Sequence, residues 1–168
     1  MKRLWAPWRM EYIASEKTGE CLFCTKVKEN KDRENLILYR GRTCFIMLNA
    51  YPYTNGHLMI APYRHVASPE DLDEESLLEL MLLVNKGLRL LRRTMNPHGF
   101  NVGINLGKAA GAGIEEHVHI HVVPRWEGDT NFMPVLAETR IMPELLDQTY
   151  EKLLAALNCG ESQNSSEG

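Results

Sequence analysis

Hydrophobic positions along the chain fall into short runs separated by turn-forming residues, with one long exception. Leu36-Ile37-Leu38-Tyr39 and Cys44-Phe45-Ile46-Met47-Leu48 flank a Gly41-Arg42 turn, the pattern of two strands. Asn49 to Gly56 carries Pro52, Asn55 and Gly56, which is loop chemistry, and His57-Leu58-Met59-Ile60-Ala61 predicts a third strand ending at Pro62. Ser68-Pro69-Glu70-Asp71 and Asp73-Glu74-Glu75 are helix-start signatures. Leu77, Met81, Val84, Leu88, Leu91 and Met95 then recur at three- and four-residue spacing, which predicts one long helix stopped by Asn96-Pro97-His98-Gly99. Lys86, Arg89, Arg92 and Arg93 lie towards its C-terminal end, where the helix dipole favours cations. Phe100 to Asn105 alternates like a strand, Gly107 to Gly113 is a glycine-rich loop, and His117 to Val123 alternates again. Pro143 to Leu157 predicts a closing helix through Leu146, Tyr150, Leu153, Leu154 and Leu157. Strands grouped around one long helix predict an α+β domain with an antiparallel sheet.

Composition narrows the class. The 168 residues suit one domain, expected over residues 1–159, with residues 1–20 an arm that packs by its aromatics and the polar residues 160–168 a mobile tail. A hydrophobic content of 44% and a net charge of −3 exclude disorder for the bulk of the chain. The greasiest stretch, Leu77 to Val84, is broken by Glu79 and is far short of the ~20 residues a membrane span needs. With 19 Lys+Arg against 22 Asp+Glu, no basic surplus marks a duplex nucleic-acid binder. Met1-Lys2-Arg3 runs into Leu4-Trp5-Ala6-Pro7-Trp8-Arg9 without the apolar core of a secretory signal, so a cytoplasmic location is expected.

Three of the six histidines, His117, His119 and His121, alternate with Val118, Ile120 and Val122. A strand sends alternate side chains to one face, so the imidazoles form a row. At ~3.3 Å per residue the outer two start roughly 13 Å apart, too far to share one metal comfortably. The row is better suited to a phosphate chain. A neutral middle imidazole can attack phosphorus and form a covalent intermediate, while its neighbours orient it and donate to oxygens. The glycine-rich loop just upstream is a candidate phosphate cradle through Gly111 and Gly113, with charge from Lys108. Trp126, just past the row, is a candidate for stacking on a nucleobase or closing a dimer.

His-Val-His-Ile-His-Val-Val fits the signature of the histidine-triad nucleotide-binding family. Arg3 to Met10, Leu48 to Leu58 and Val122 to Phe132 resemble its bacterial branch of diadenosine tetraphosphate phosphorylases and hydrolases, so the likeness spreads over roughly residues 3 to 135. The resemblance implies a five-stranded antiparallel sheet with one long and one C-terminal helix, a homodimer, and a purine nucleotide substrate. It implies His119 as the nucleophile that takes up a nucleoside monophosphate, His121 against the α-phosphate, and His117 supporting the array. Asn49 matches the family's ribose-binding asparagine, His57 the histidine that buttresses the triad, and Asn105 an amide near the phosphates. Many members carry Gln-Ser or Gln-Thr before the triad, where this chain has Ala112-Gly113. That departure fits phosphorolysis of dinucleoside polyphosphates, with inorganic phosphate as acceptor, better than a phosphoramidase. A nucleoside phosphoramidase or a non-catalytic purine nucleotide-binding protein is the alternative.

Cys21 and Cys24 form a C-x-x-C, which without an oxidising compartment reads as a metal or redox pair. Tetrahedral zinc wants four ligands; His65 is the candidate third and His117 the fourth, a set that zinc-bearing relatives support. Such zinc is expected to be structural, and the imidazole row requires no catalytic metal. The bland alternative is a pair of reduced surface thiols with a solvent-facing His65. Cys44 reads as core and Cys159 as a bystander.

Overall fold

A computed structural model of the chain describes residues 19–129 and 144–164. Its elements in chain order are α1 (Leu22–Lys28), β1 (Ile37–Arg40), β2 (Cys44–Leu48), β3 (Leu58–Pro62), α2 (Glu74–Met95), β4 (Gly99–Ile104), β5 (Ile120–Arg125) and α3 (Leu146–Asn164). The strands form one antiparallel sheet in the order β1-β2-β3-β5-β4. The α+β architecture with about five strands, a long helix and a C-terminal helix is thus the one expected. The arm's aromatics (Trp5 and Trp8) and the last residues of the tail lie outside the described residues. No helix among the described residues is long and apolar enough to cross a membrane.

β2 and β3 are buried along their whole length because both faces of the sheet are covered there. On one face Cys44, Ile46, Leu48, Leu58, Ile60, Ile120 and Val122 meet α2 and α3 in the main core. On the other, Phe45, Met47, Met59 and Ala61 close a smaller core around Phe23 of α1. The C-x-x-C, to which the hydrophobic pattern assigns no element, therefore opens a short helix. Seven residues do not hold a helix in water alone, and burial of Phe23 supplies what propensity lacks.

Three details depart from the pattern reading. In α2 the packing stripe is Leu80, Leu83, Val84, Leu90 and Leu91, while Leu77 and Met81, read as core positions, are exposed together with Leu78 and Leu82. The helix is apolar on more than one side, and periodicity alone does not choose between sides. α3 continues through Gly160 to Asn164 instead of breaking at the glycine. β5 starts at Ile120, so His117 and His119 lie in an extended lead-in. The ladder with β3 stops at Ile60–Ile120, two positions short of Pro62, which would stand opposite Val118 with no N–H to give; the Val118 amide bonds to the Val66 carbonyl instead.

Two glycines set the frame around the site. Gly56, at φ +80°, makes the left-handed turn into β3, and a Cβ there would sit 2.6 Å from Met95 Sδ. Gly41 lets the β1–β2 turn close on α2: Glu79 accepts backbone N–H bonds from Arg42, Thr43 and Cys44, and a Cβ on Gly41 would lie 2.8 Å from Glu79 Oε1.

Candidate active site

Four imidazoles occupy one sheet face, and their backbone partners settle their tautomers. His119 is 6% exposed, and its Nδ1 lies 2.9 Å from the His117 carbonyl oxygen. An oxygen there can only accept, so Nδ1 carries the proton and the Nε2 lone pair is left available. Fully buried His57 is fixed the other way. The Tyr53 amide donates to its Nδ1 at 3.1 Å, so its proton is on Nε2, which donates to His121 Nδ1 at 2.9 Å. His121 Nδ1 is then an acceptor, and the proton of neutral His121 is on Nε2. The Asn49 amide nitrogen, 3.3 Å from His57 Nδ1, reinforces this order, while Asn49 Oδ1 accepts the Tyr51 N–H. The result is a nucleophilic nitrogen on His119 beside a donor on His121, with ring centroids 4.7 Å apart.

Burial keeps these rings neutral. Desolvation, reinforced by any charge on His121 and His119, pushes His57 down to about 3. Desolvation, with His119 adding to it, pushes His121 down to about 4. His119 is lowered from the ordinary imidazole value by burial, partly offset by its bond to the His117 carbonyl. At neutral pH His119 therefore keeps the lone pair on Nε2.

His117 faces away from this pair. Its Nε2–H donates to the Pro62 carbonyl at 2.8 Å, which turns the Nδ1 lone pair towards His65 Nδ1 (3.3 Å), Cys21 Sγ (3.3 Å) and Cys24 Sγ (3.6 Å). Cys24 Sγ is 3.5 Å from His65 Nδ1, and the four ligand atoms all lie within 4.8 Å of one another. Metal–nitrogen bonds of 2.0–2.1 Å and metal–sulfur bonds of 2.3 Å give tetrahedral edges of about 3.3 Å between nitrogens and about 3.6 Å between nitrogen and sulfur. The edges from His117 to His65 and to both cysteines, and that from Cys24 to His65, are close to these values. Lone pairs converging on one point repel unless a cation sits between them, so this donor set fits zinc.

The cluster and His119 are joined in two ways. His117 offers its ring to the cluster and its carbonyl to His119. Phe23, between the two cysteines in sequence and fully buried, has its ring 5.0 Å from His117 and 4.9 Å from His119. Sequence reasoning passed over Phe23, although a large apolar residue inside a C-x-x-C is a signal that the motif turns its middle inward. It also passed over Tyr53, whose ring lies over His57 and His121 with centroids 4.5 and 6.0 Å away.

The remaining candidates are placed less tightly. Asn105 lines a groove beside His121. Lys108, Gly111 and Gly113 are exposed in the loop before the triad. Gly107 and Gly111 take the left-handed backbone this loop needs, and the amides of Ala110, Gly111 and Ala112 bond to carbonyls within the loop. These three bonds close the turn on itself. Trp126 is half-buried just past β5, with its backbone N–H on Asp129.

The fold and the site define an α+β protein with paired, oppositely oriented imidazoles on a sheet and behind them a Cys/His cluster whose donors could hold a metal. The HIT domain model matches residues 30–128, and the chain belongs to this family. It is 41% identical over 163 residues to an AP-4-A phosphorylase of Mycobacterium tuberculosis, covering 92% of this chain and 83% of that protein. It is 32% identical over 97 residues to a bis(5'-adenosyl)-triphosphatase of Dictyostelium discoideum, covering 58% of this chain and 64% of that one. Among solved structures, a zinc-bound histidine triad family protein from Mycobacterium smegmatis superposes with a TM-score of 0.70 at 26% identity, over 86% of this chain and 98% of its own.

Proposed function

We propose that this chain cleaves dinucleoside polyphosphates, diadenosine tetraphosphate foremost, by nucleotidyl transfer through His119, with phosphate favoured over water as acceptor. The observation that carries the reading is the pair of opposed tautomers: a lone pair on His119 Nε2 next to an N–H on His121. Similarity to an AP-4-A phosphorylase over most of both chains supports the substrate class.

In the first step His119 Nε2 bonds to the α-phosphorus, and the P–O bond to the next phosphate breaks, its electron pair leaving on the released nucleotide. From the tetraphosphate that product is ATP. His121 donates to a non-bridging oxygen whose charge grows in the transition state. In the second step an oxygen of hydrogenphosphate bonds to phosphorus, the N–P pair returns to Nε2, a proton passes to solvent, and ADP departs. Water in place of phosphate gives AMP. His57 holds His121 in its donor tautomer, and Asn49 and Asn105 serve the ribose and the phosphates. Trp126 offers a stacking face for the base, and the Lys108–Gly113 loop supplies flanking charge and backbone.

Cys21, Cys24, His65 and His117 would hold zinc, which with four protein ligands is coordinatively closed and contributes folding energy. The chain is expected to work as a cytoplasmic homodimer. Free cysteines at the cluster suit a reducing compartment, β4 is an outer strand, and Val102, Ile104, Leu78, Met81 and Leu82 leave apolar surface exposed.

The test is chromatographic analysis of products from diadenosine tetraphosphate, with and without inorganic phosphate, beside His119→Ala. ADP plus ATP formed only with phosphate is the expected outcome, and AMP plus ATP in both conditions would make the protein a hydrolase. Absence of turnover by the wild-type chain would overturn the reading.

A further inference from the structure

Beyond His121 the imidazole face opens into a groove of about 370 Å³ running between β4 and β5. Its walls include Tyr53, Asn101, Gly103, His121 and Arg125. Gly103 stands directly opposite His121 in the ladder, and Asn101 stands opposite Val123, one same-face step further along. That step is ~7 Å along the strand. A Cβ on Gly103 would meet nothing within 4 Å, so the missing side chain is what keeps the groove open beside the imidazole.

The far end of the groove is built from oriented N–H donors. Arg125 Nε and Nη2 are tied to Asp129, and Arg125 Nη1 donates to Asn101 Oδ1 at 2.7 Å. The carboxylate fixes the guanidinium plane and leaves further N–H hydrogens on Nη1 and Nη2. The bond to Oδ1 also fixes the Asn101 amide, whose nitrogen becomes a donor. Among the described residues no carboxylate lines the groove. Oriented N–H donors at the end of a channel that begins at the reacting imidazoles suit a chain of phosphates.

We propose that this groove holds the distal phosphates of the leaving nucleotide, and that Arg125 and Asn101 are specificity residues that read the length of its phosphate chain. The proposal rests on the nucleotidyl-transfer reading above. With the α-phosphate at His119 and His121, donors ~7 Å further on are beyond the phosphate next to the scissile bond and within reach of later ones. A leaving nucleoside triphosphate presents two phosphates beyond the first to these donors, and a leaving diphosphate only one. Tetraphosphate substrates are therefore preferred to triphosphates.

The experiment compares kcat/KM for diadenosine tetraphosphate and diadenosine triphosphate in the full-length chain and in Asn101→Ala, Arg125→Gln and Gly103→Val. Asn101 is exposed on an outer strand, which keeps its variant foldable if loss of the Asp129 partner harms Arg125→Gln. The wild-type tetraphosphate preference is expected to shrink at least tenfold in each variant. An unchanged ratio in Asn101→Ala and Gly103→Val overturns the proposal. Calorimetric titration with inorganic tripolyphosphate reads the groove without turnover: binding by wild type that is lost in Gly103→Val supports it, and equal binding refutes it. The p-nitrophenyl ester of AMP separates the two readings. Wild-type release of nitrophenol with no effect of the variants on chain-length preference removes only the groove, whereas no release removes the nucleotidyl-transfer reading itself.

Discussion

Replacing His57 tests the tautomer chain on which the chemistry depends. In His57→Leu the Tyr53 N–H loses its 3.1 Å acceptor and His121 Nδ1 loses its 2.9 Å donor, at a site with no exposure to solvent. Each net hydrogen bond contributes about 1 kcal/mol, and a buried group left unpaired costs about 1–3 kcal/mol. A loss of ~2–3 kcal/mol follows, or a Tm lower by ~5–10 °C for a domain of this size. The kinetic effect should be larger. With nothing donating to Nδ1, His121 is free to place its proton there and present a lone pair, not a donor, to the phosphate. Removing one donor from a developing oxyanion costs roughly 10²–10³-fold, so the nucleotidylation rate should fall by ~10²-fold. Long-range ¹H–¹⁵N spectra of the imidazoles read the His121 tautomer directly, and quenched-flow capture of the nucleotidyl-enzyme reads the rate. His57→Gln, whose amide nitrogen can still donate to His121, should recover part of both. If His121 keeps its Nε2 proton in His57→Leu and the rate stays within twofold of wild type, the reasoning is wrong.

Other consequences can be checked alongside. Because the folded pKa of His57, about 3, lies below its unfolded value of 6.5, the unfolded chain binds the extra proton between these values. Stability is thus full above about pH 6.5 and falls as pH drops, by up to ~1.4 kcal/mol per pH unit from this group, which denaturant titrations from pH 7.5 to 4.5 should show. The nucleotidylation rate should stay level to below pH 6.5, since burial lowers His119; a midpoint at or above 6.5 in single-turnover profiles would contradict this. Metal analysis should find one zinc per chain, and stripping it with a strong chelator should lower Tm and cut nucleotidylation together, because His117 and Phe23 link the cluster to His119. Gly56→Ala should destabilise by more than ~1 kcal/mol, since it combines a left-handed backbone with a clash on Met95, and urea midpoints would reveal it.

Much of this protein was legible without coordinates, for physical reasons. Short apolar runs between turn residues place β1 to β3, because the middle of the sheet is covered on both faces, and the triad is visible because a strand turns alternation into a row. The C-x-x-C with His65 and His117 was legible as a ligand set because zinc demands a fixed number of nitrogen and sulfur donors. Pattern could not say which flank of α2 packs, because both flanks are apolar and only the position of the sheet decides. Nor could it show that β5 begins after His119, where the Val118 amide leaves the sheet for the Val66 carbonyl. The division of labour among the histidines was likewise a tertiary decision. The Pro62 carbonyl turns His117 to the metal cluster, the His117 carbonyl frees His119 Nε2, and the Tyr53 amide, acting through His57, makes His121 a donor. Each of these partners is a backbone atom, so no side-chain motif encodes it. Residue types and their order determine which chemistry is available to this chain; the paths of loops and strands around them determine which nitrogen does it.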